Sequence, residues 1–333
     1  MNDNLLQTSQ RVTGYDIIRS MAIFFVIAGH FIAINTPFYT EEFKGISMCL
    51  KSAILPIFST GVPLFLILTG FLNTHKNLSI QYYKGIRRVI ESYLFFSIIT
   101  IFFRALYLKE TMPAYKWITG ILDFTMIPYA WYIEMYIGLF LLIPFLNIIY
   151  KGLSSKKQKQ VLLLTCFCLS SLPMLLNKRG FQIIPNYWLS IYPILYYFIG
   201  CYIYEYRPQI KSHFKAWAII ACFASIEPIV NILFNKGVYI YVARTIASPF
   251  CLVMATLLFT MYYAANIKYE LIKSFITNTA KFSLDMYLCS YIIDKLIYPL
   301  FVTKYMVIIV PVVFFVSFGT ATLKDLLFKL KQL

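Results

Sequence analysis

The sequence predicts an all-α integral membrane protein, a bundle of about ten transmembrane helices with both termini in the cytoplasm. Three observations lead there. Of 333 residues, 60% are hydrophobic and only 13% charged, a balance that no soluble domain requires. The apolar residues fall in repeated runs of about twenty, the length that crosses a bilayer as helix. Such runs are too long for barrel strands, and a helix satisfies its own backbone groups where no water is present.

The spans are expected at about 15–35, 51–73, 89–108, 131–150, 159–176, 188–206, 215–235, 241–265, 282–301 and 304–326. With the N-terminus inside, 18 of the 30 Lys and Arg residues fall in inner segments and 11 in outer loops or span ends, while Arg19 lies within the first span. Every inner loop is then basic, which fixes the orientation. The net charge of +16 is therefore assigned to membrane orientation. No basic tract interleaved with aromatics stands outside the apolar runs, so no nucleic-acid partner is expected. Short loops and the lack of repeats or Gly/Ser-rich linkers predict a single polytopic domain over 1–333. The first run is expected to stay as a span, since it is too long for a cleaved signal and carries charge. The seven cysteines are scattered, Cys166-Phe-Cys168 lacks a zinc or redox spacing, and His30, His75 and His213 lie far apart. No metal site is expected.

The first span, YDIIRSMAIFFVIAGHFIAIN, holds Asp16, Arg19 and His30 among apolar neighbours. An ionisable group within a span is costly and marks a functional site by default. Arg19 and His30 are eleven positions apart, which places both on one helix face within roughly 20° and roughly 16 Å apart along the axis. The plainer reading is a snorkelling Arg and a His hydrogen-bonded within the bundle.

The second span contains Pro56 and Pro63, so a kinked or broken helix is expected, either bordering a cavity or merely tolerated. Lys84, Arg87 and Arg88 follow at the inner start of the third span. They suit phosphates, and equally the positive-inside rule or anionic lipid. The outer segment 109–130 is expected to lie along the membrane surface. Trp117, Tyr129, Trp131 and Tyr132 read as an interfacial belt, with sugar stacking as the alternative.

Glu134, just inside the outer end of the fourth span, falls at a depth close to that of His30. A carboxylate there would orient the imidazole and raise its basicity. Arg104 and Arg244 compete for the same carboxylate, and a structural ion pair is the alternative. Glu227, Asp285 and Asp294 lie in later spans without an assignable partner.

Asp16-Ile-Ile-Arg19 followed by His30 resembles the first span of the membrane acyltransferase-3 family, whose hallmark is Arg or Lys, ten residues, then His. Gly61-Val-Pro-Leu-Phe-Leu-Ile-Leu-Thr-Gly-Phe71 is similar to the family's second-span motif, with Thr69 where Ser is usual. Trp131-Tyr-Ile…Tyr136-Ile-Gly-Leu-Phe-Leu-Leu-Ile-Pro144 and Phe282-Ser-Leu-Asp-Met-Tyr-Leu288 are similar to later family segments, in order. Two departures stand out. The family's Arg-x-x-Arg is only partly present, with Gly85 three residues before Arg88 and Lys84 before Arg87. Ser290 stands where His is frequent.

The resemblance implies an O-acyltransferase in the plasma membrane, without the hydrolase-like domain that some members carry. It would move an acyl group, most simply acetyl, from cytoplasmic acyl-CoA to a hydroxyl of a glycan at or beyond the outer face. It further implies His30 as general base or transient acyl carrier, and Arg19, with Arg88, Arg87 and Lys84, as the grip on donor phosphates. Asp16 would orient Arg19, and Glu134 would act with His30. The sequence His30-x4-Asn35 lacks the Asp of soluble His-x4-Asp acyltransferases. A transporter or flippase for a small solute or lipid-linked sugar also suits intramembrane charge and broken helices.

Overall fold

A computed structural model of the chain describes residues 12–330 except 37, 41, 178–181, 235–238, 244 and 302–304. Both termini lie outside these residues, as does Arg244. No strand occurs among the described residues. The helices run α1 Thr13–Ala33, α2 Gly45–Phe58, α3 Gly61–Asn73, α4 Ile80–Lys84, α5 Arg87–Phe102, α6 Ala114–Leu122, α7 Trp131–Gly152, α8 Lys156–Ser170, α9 Leu172–Leu176, α10 Tyr192–Tyr206, α11 His213–Phe234, α12 Pro249–Tyr262, α13 Glu270–Ile297 and α14 Met306–Leu330.

Among the described residues, six helical stretches are long and apolar enough to cross a membrane: Thr13–Ala33, Gly45–Asn73, Ile80–Tyr107, Trp131–Gly152, His213–Phe234 and Met306–Leu330. The other four expected spans are also partly or wholly helical, but differ from the expectation. The fifth is divided at Ser171 into α8 and α9. The sixth is the 15 residues of α10 after a short 3-10 turn. The ninth is longer, because α13 runs 28 residues and begins well before the apolar run. The eighth is helical only over the 14 residues of α12. Its start is set by Pro249 in the first turn and by Ser248, whose hydroxyl accepts the N–H of Cys251 at 3.1 Å. Ahead of it, buried Glu227 of α11 accepts the N–H groups of Val242 (3.0 Å) and Ala243 (2.6 Å), which holds that segment out of helix.

The second expected span breaks at Ser59-Thr60, between α2 and α3. Pro63 is the third residue of α3, where the first-turn N–H has little use, so the ring starts a helix there without disrupting one. The Ser59 and Thr60 hydroxyls donate to the carbonyls of Leu55 (2.9 Å) and Ile57 (2.6 Å), which also accept the backbone N–H groups of Ser59 and Thr60.

The centre of the bundle is α1 with α3. Ile18, Ala22, Ile23, Ile27, Phe31 and Ile32 of α1 are almost fully enclosed, by packing against α13, α3, α2 and α14. Small residues set the closest crossing, where α3 meets α10. A Cβ on Gly70 would lie 2.0 Å from the Tyr197 carbonyl oxygen, and one on Gly200 would lie 2.1 Å from that of Ile67. Helices in lipid gain association energy mainly through such close packing. A buried ion pair, Lys324 Nζ to Asp285 at 2.5 Å, ties α14 to α13, and Lys324 also donates to Ser92 of α5 at 2.7 Å.

Candidate functional site

Along α1 the polar residues fall at helical spacing onto the face turned towards α3, α7 and α13. Asp16 is buried in the first turn, where it accepts a hydrogen bond from the Thr277 hydroxyl of α13 at 3.0 Å. Arg19, one turn further, is half-buried.

Three cavities follow one another past this face. The first, about 500 Å³, is lined by Asp16, Arg19, Arg88, Lys281 and Ser283. Its chemistry is cationic, and Arg88 is held in place by donating from Nη2 to the Lys281 carbonyl at 3.2 Å. The second, about 200 Å³, again includes Arg19 and is walled by Thr69, Tyr132, Tyr136 and Tyr287. The third, about 440 Å³, contains His30 with Ser59, Trp131 and Tyr192. Arg19 is common to the first two, and Val26 and Val62 to the last two. The break before α3 therefore borders a cavity, with Ser59 and Val62 on its wall.

The His30 imidazole rests on the Tyr129 ring, with 3.9 Å between centroids and 36° between planes. Tyr287 lies further off, at 6.3 Å. His30 Nδ1 and the Tyr287 hydroxyl are buried and have no hydrogen-bond partner among the described residues. Tyr129 donates to the Asp294 carboxylate at 2.8 Å, and Asn35 donates to both, at 2.9 and 3.2 Å.

The structure brings together Asp16, Arg19, Arg88 and His30 along one row of cavities. It does not bring Glu134 there. Glu134 is exposed, on the same side of α7 as exposed Leu141, and among the described residues it makes no hydrogen bond or ion pair to His30. The reason is angular. Tyr132 and Tyr136 turn into the second cavity, and Glu134, two residues from each, lies about 200° round the helix from both. Similar depth did not mean a shared face. Arg104 is not Glu134's partner either, since it pairs with Glu110 at 2.7 Å.

The basic cluster also divides. All three residues are exposed, but Lys84 and Arg87 line none of the three cavities, and Arg87 pairs with Glu91 one turn on, at 2.6 Å. Residues that the sequence left without a place in the site include Lys281, Tyr287 and Asp294, and Tyr129, expected in an interfacial belt, is buried instead. Asp294 gave a signal, as a carboxylate within a span, but no partner for it was visible in the sequence.

A helical bundle with a row of half-open cavities, cationic at one end and holding a histidine at the other, suits a polytopic membrane transferase or carrier. The family model described as an acyltransferase domain, acyltransferase-3, matches residues 12–324. The chain belongs to this family and is a multi-pass membrane protein, with six apolar helices of spanning length among the described residues. No curated protein and no solved structure gives a significant match to the chain. All four segments that carried the resemblance contribute to the second cavity: Arg19 from α1, Thr69 from α3, Tyr136 from α7 and Tyr287 from α13. Ser290, at the variable position, is not on that wall, and its hydroxyl donates to the Tyr287 carbonyl at 2.8 Å.

Proposed function

We propose that the chain moves an acyl group, most simply acetyl, from cytoplasmic acyl-CoA to a hydroxyl of a glycan at or beyond the outer face of the plasma membrane. The observation that carries this reading is the row of three cavities along α1, neighbours that share Arg19 and then Val26 and Val62 as wall residues. In this reading all of 1–333 is one polytopic unit of about ten spans, with both termini in the cytoplasm.

The first cavity suits the donor's phosphates. Arg19 and Arg88 are the guanidinium forks that line it, and planar forks match phosphate oxygens. Asp16, fixed by Thr277, stands beside them to orient Arg19. Lys84 and Arg87, on the exposed side, contribute at most long-range attraction. The narrower second cavity suits the thin pantetheine arm, with the Tyr287 hydroxyl available to donate to the thioester carbonyl. In the third cavity His30 would act in one of two ways. As general base it takes the acceptor hydroxyl proton while the oxygen attacks the thioester carbonyl and CoA thiolate leaves. As carrier, a ring nitrogen attacks that carbonyl, thiolate leaves, and the acyl group passes from nitrogen to the acceptor oxygen as the N–acyl bond breaks and the freed imidazole takes the hydroxyl proton.

Trp131 and Tyr192 on the third cavity give aromatic faces for a sugar ring. The same row of cavities would serve a transporter or flippase, so the deciding experiment must separate the two. The protein is reconstituted in liposomes with radiolabelled acetyl-CoA, and label is sought on protein and glycan. Label transfer supports the acyltransferase, whereas solute flux without transfer supports the transporter.

A further inference from the structure

We propose that Tyr129 and Asp294 are positioning residues for His30, in the place that depth along the spans assigns to Glu134. The proposal rests on the reading of His30 as the reacting imidazole.

A histidine at the end of a helix is held poorly by its own backbone. The torsion that turns the imidazole is broad and shows no sharp staggered wells, so the ring orientation must come from what it leans on. α1 ends just beyond His30, and the backbone there is fastened with unusual density. The His30 carbonyl accepts from the N–H of Ile34 (3.0 Å), the N–H of Asn35 (3.1 Å) and the Asn35 side-chain amide (3.1 Å). That fixes the Cα–Cβ direction and leaves the ring to be set.

The ring is set by Tyr129, whose face lies 3.9 Å from it. Tyr129 is itself locked. Its hydroxyl donates to Asp294 Oδ2 at 2.8 Å and accepts from the Asn35 amide at 2.9 Å, which uses both capacities of a phenol. The same Asn35 amide reaches Asp294 Oδ2 at 3.2 Å. Tyr129 and Asp294 are both fully enclosed, at 2% and 1% exposure. Three separate elements meet here: the end of α1, the segment before α7, and the outer part of α13.

The arrangement differs from a carboxylate that hydrogen-bonds an imidazole nitrogen. Here the carboxylate fixes a phenol, and the phenol fixes the imidazole through its face. Both ring nitrogens are then left for chemistry, consistent with the unpartnered Nδ1. A residue that fixes orientation without touching the substrate acts through preorganisation, where a misplacement of about 1 Å costs on the order of 10²-fold in rate. A purely structural tie between α1 and α13 would use the same hydrogen bonds, so the test must read the imidazole itself.

The full chain is prepared with His75→Gln and His213→Gln, both at exposed positions, so that ¹⁵N-histidine label reports His30 alone. Ring-nitrogen spectra are compared for this parent, Tyr129→Phe, Tyr129→Ala, Asp294→Asn and Asp294→Ala. The parent should show one fixed imidazole. Tyr129→Ala and Asp294→Ala should give averaged, broadened ring signals, and Tyr129→Phe and Asp294→Asn should be intermediate. In acyl transfer, Tyr129→Ala should lose on the order of 10²-fold in kcat with donor KM unchanged, and Tyr129→Phe should recover part of that loss. Should the alanine variants fail to fold, the Phe and Asn variants carry the same comparison. Unchanged ring spectra in all variants that fold would overturn the proposal while leaving the acyltransferase reading intact. A protein that transfers no acyl group but shows the predicted spectra would overturn that reading and leave the positioning of His30 standing.

Discussion

Arg19 and His30 stand eleven residues apart on α1 and line opposite ends of one row of cavities, the first among cations and the second against a tyrosine ring. Their shared helix face makes the row possible. The residues between them on that face are small or aliphatic, and Val26 forms the wall where the second and third cavities meet.

The exposed position of Glu134 predicts that Glu134→Gln leaves turnover and its pH profile close to wild type. Surface substitutions of this kind change stability by only about 0.5 kcal/mol or less. A large loss of kcat, measured with acyl-CoA and acceptor in liposomes, would return Glu134 to the reaction.

The division of the basic cluster gives a second test. Arg88 lines the first cavity, so Arg88→Ala should weaken acyl-CoA binding by about 1.5–3 kcal/mol, the range for a lost hydrogen bond to a charged group. Arg19→Ala should weaken it further, because Arg19 is better enclosed than exposed Arg88 and an enclosed charge is screened less by water. Arg87→Ala, whose partner Glu91 is also exposed, should change affinity by less than about 1 kcal/mol. Calorimetry with acyl-CoA on the four proteins checks the order. Equal effects at 87 and 88 would move the donor site to the surface.

The amount of this that the sequence revealed follows from what periodicity encodes. A fixed rotation of 100° per residue makes Arg19 and His30 share a face whatever surrounds them, and both do line the cavities. Two prolines close together announced the break before α3, because a proline's missing N–H has a known cost within a helix. The pairing of His30 with Glu134 was not legible. Span depth gives height along the membrane normal and nothing about azimuth, which is set by how α7 packs. Asp294 and Tyr129 were hidden for the same reason: their contact with His30 joins three segments whose arrangement is a tertiary property. The eighth span was overextended because apolarity continues through 241–248, while Glu227, on another helix, takes the backbone N–H groups there.

Packing gives a prediction independent of function. Gly70→Ala should lower the thermal midpoint or yield sharply, since its Cβ would meet the Tyr197 carbonyl oxygen at 2.0 Å, backbone that cannot swing aside. Overpacking costs typically about 1–3 kcal/mol, and a clash with backbone belongs at the upper end. Gly138→Ala, with nothing within 4 Å of the added Cβ, should be neutral or slightly stabilising. Equal behaviour of the two would contradict the close crossing of α3 and α10.

Orientation is tested by labelling. A cysteine in place of exposed Lys116 should react with a membrane-impermeant reagent from outside, and a reporter after Leu333 should be cytoplasmic. Reaction at 116 only from the cytoplasmic side would invert the bundle and the direction of transfer.

The central claim is that His30 carries out transfer at the far end of the row of cavities from the Arg19 site, and single-turnover transfer by His30→Ala tests it most directly. Purified His30→Ala protein in liposomes, given radiolabelled acetyl-CoA and acceptor glycan, should bind donor with wild-type affinity. It should transfer label about 10²–10⁴-fold more slowly, the loss expected on removing a positioned base. Transfer at the wild-type rate with intact donor binding would contradict the account.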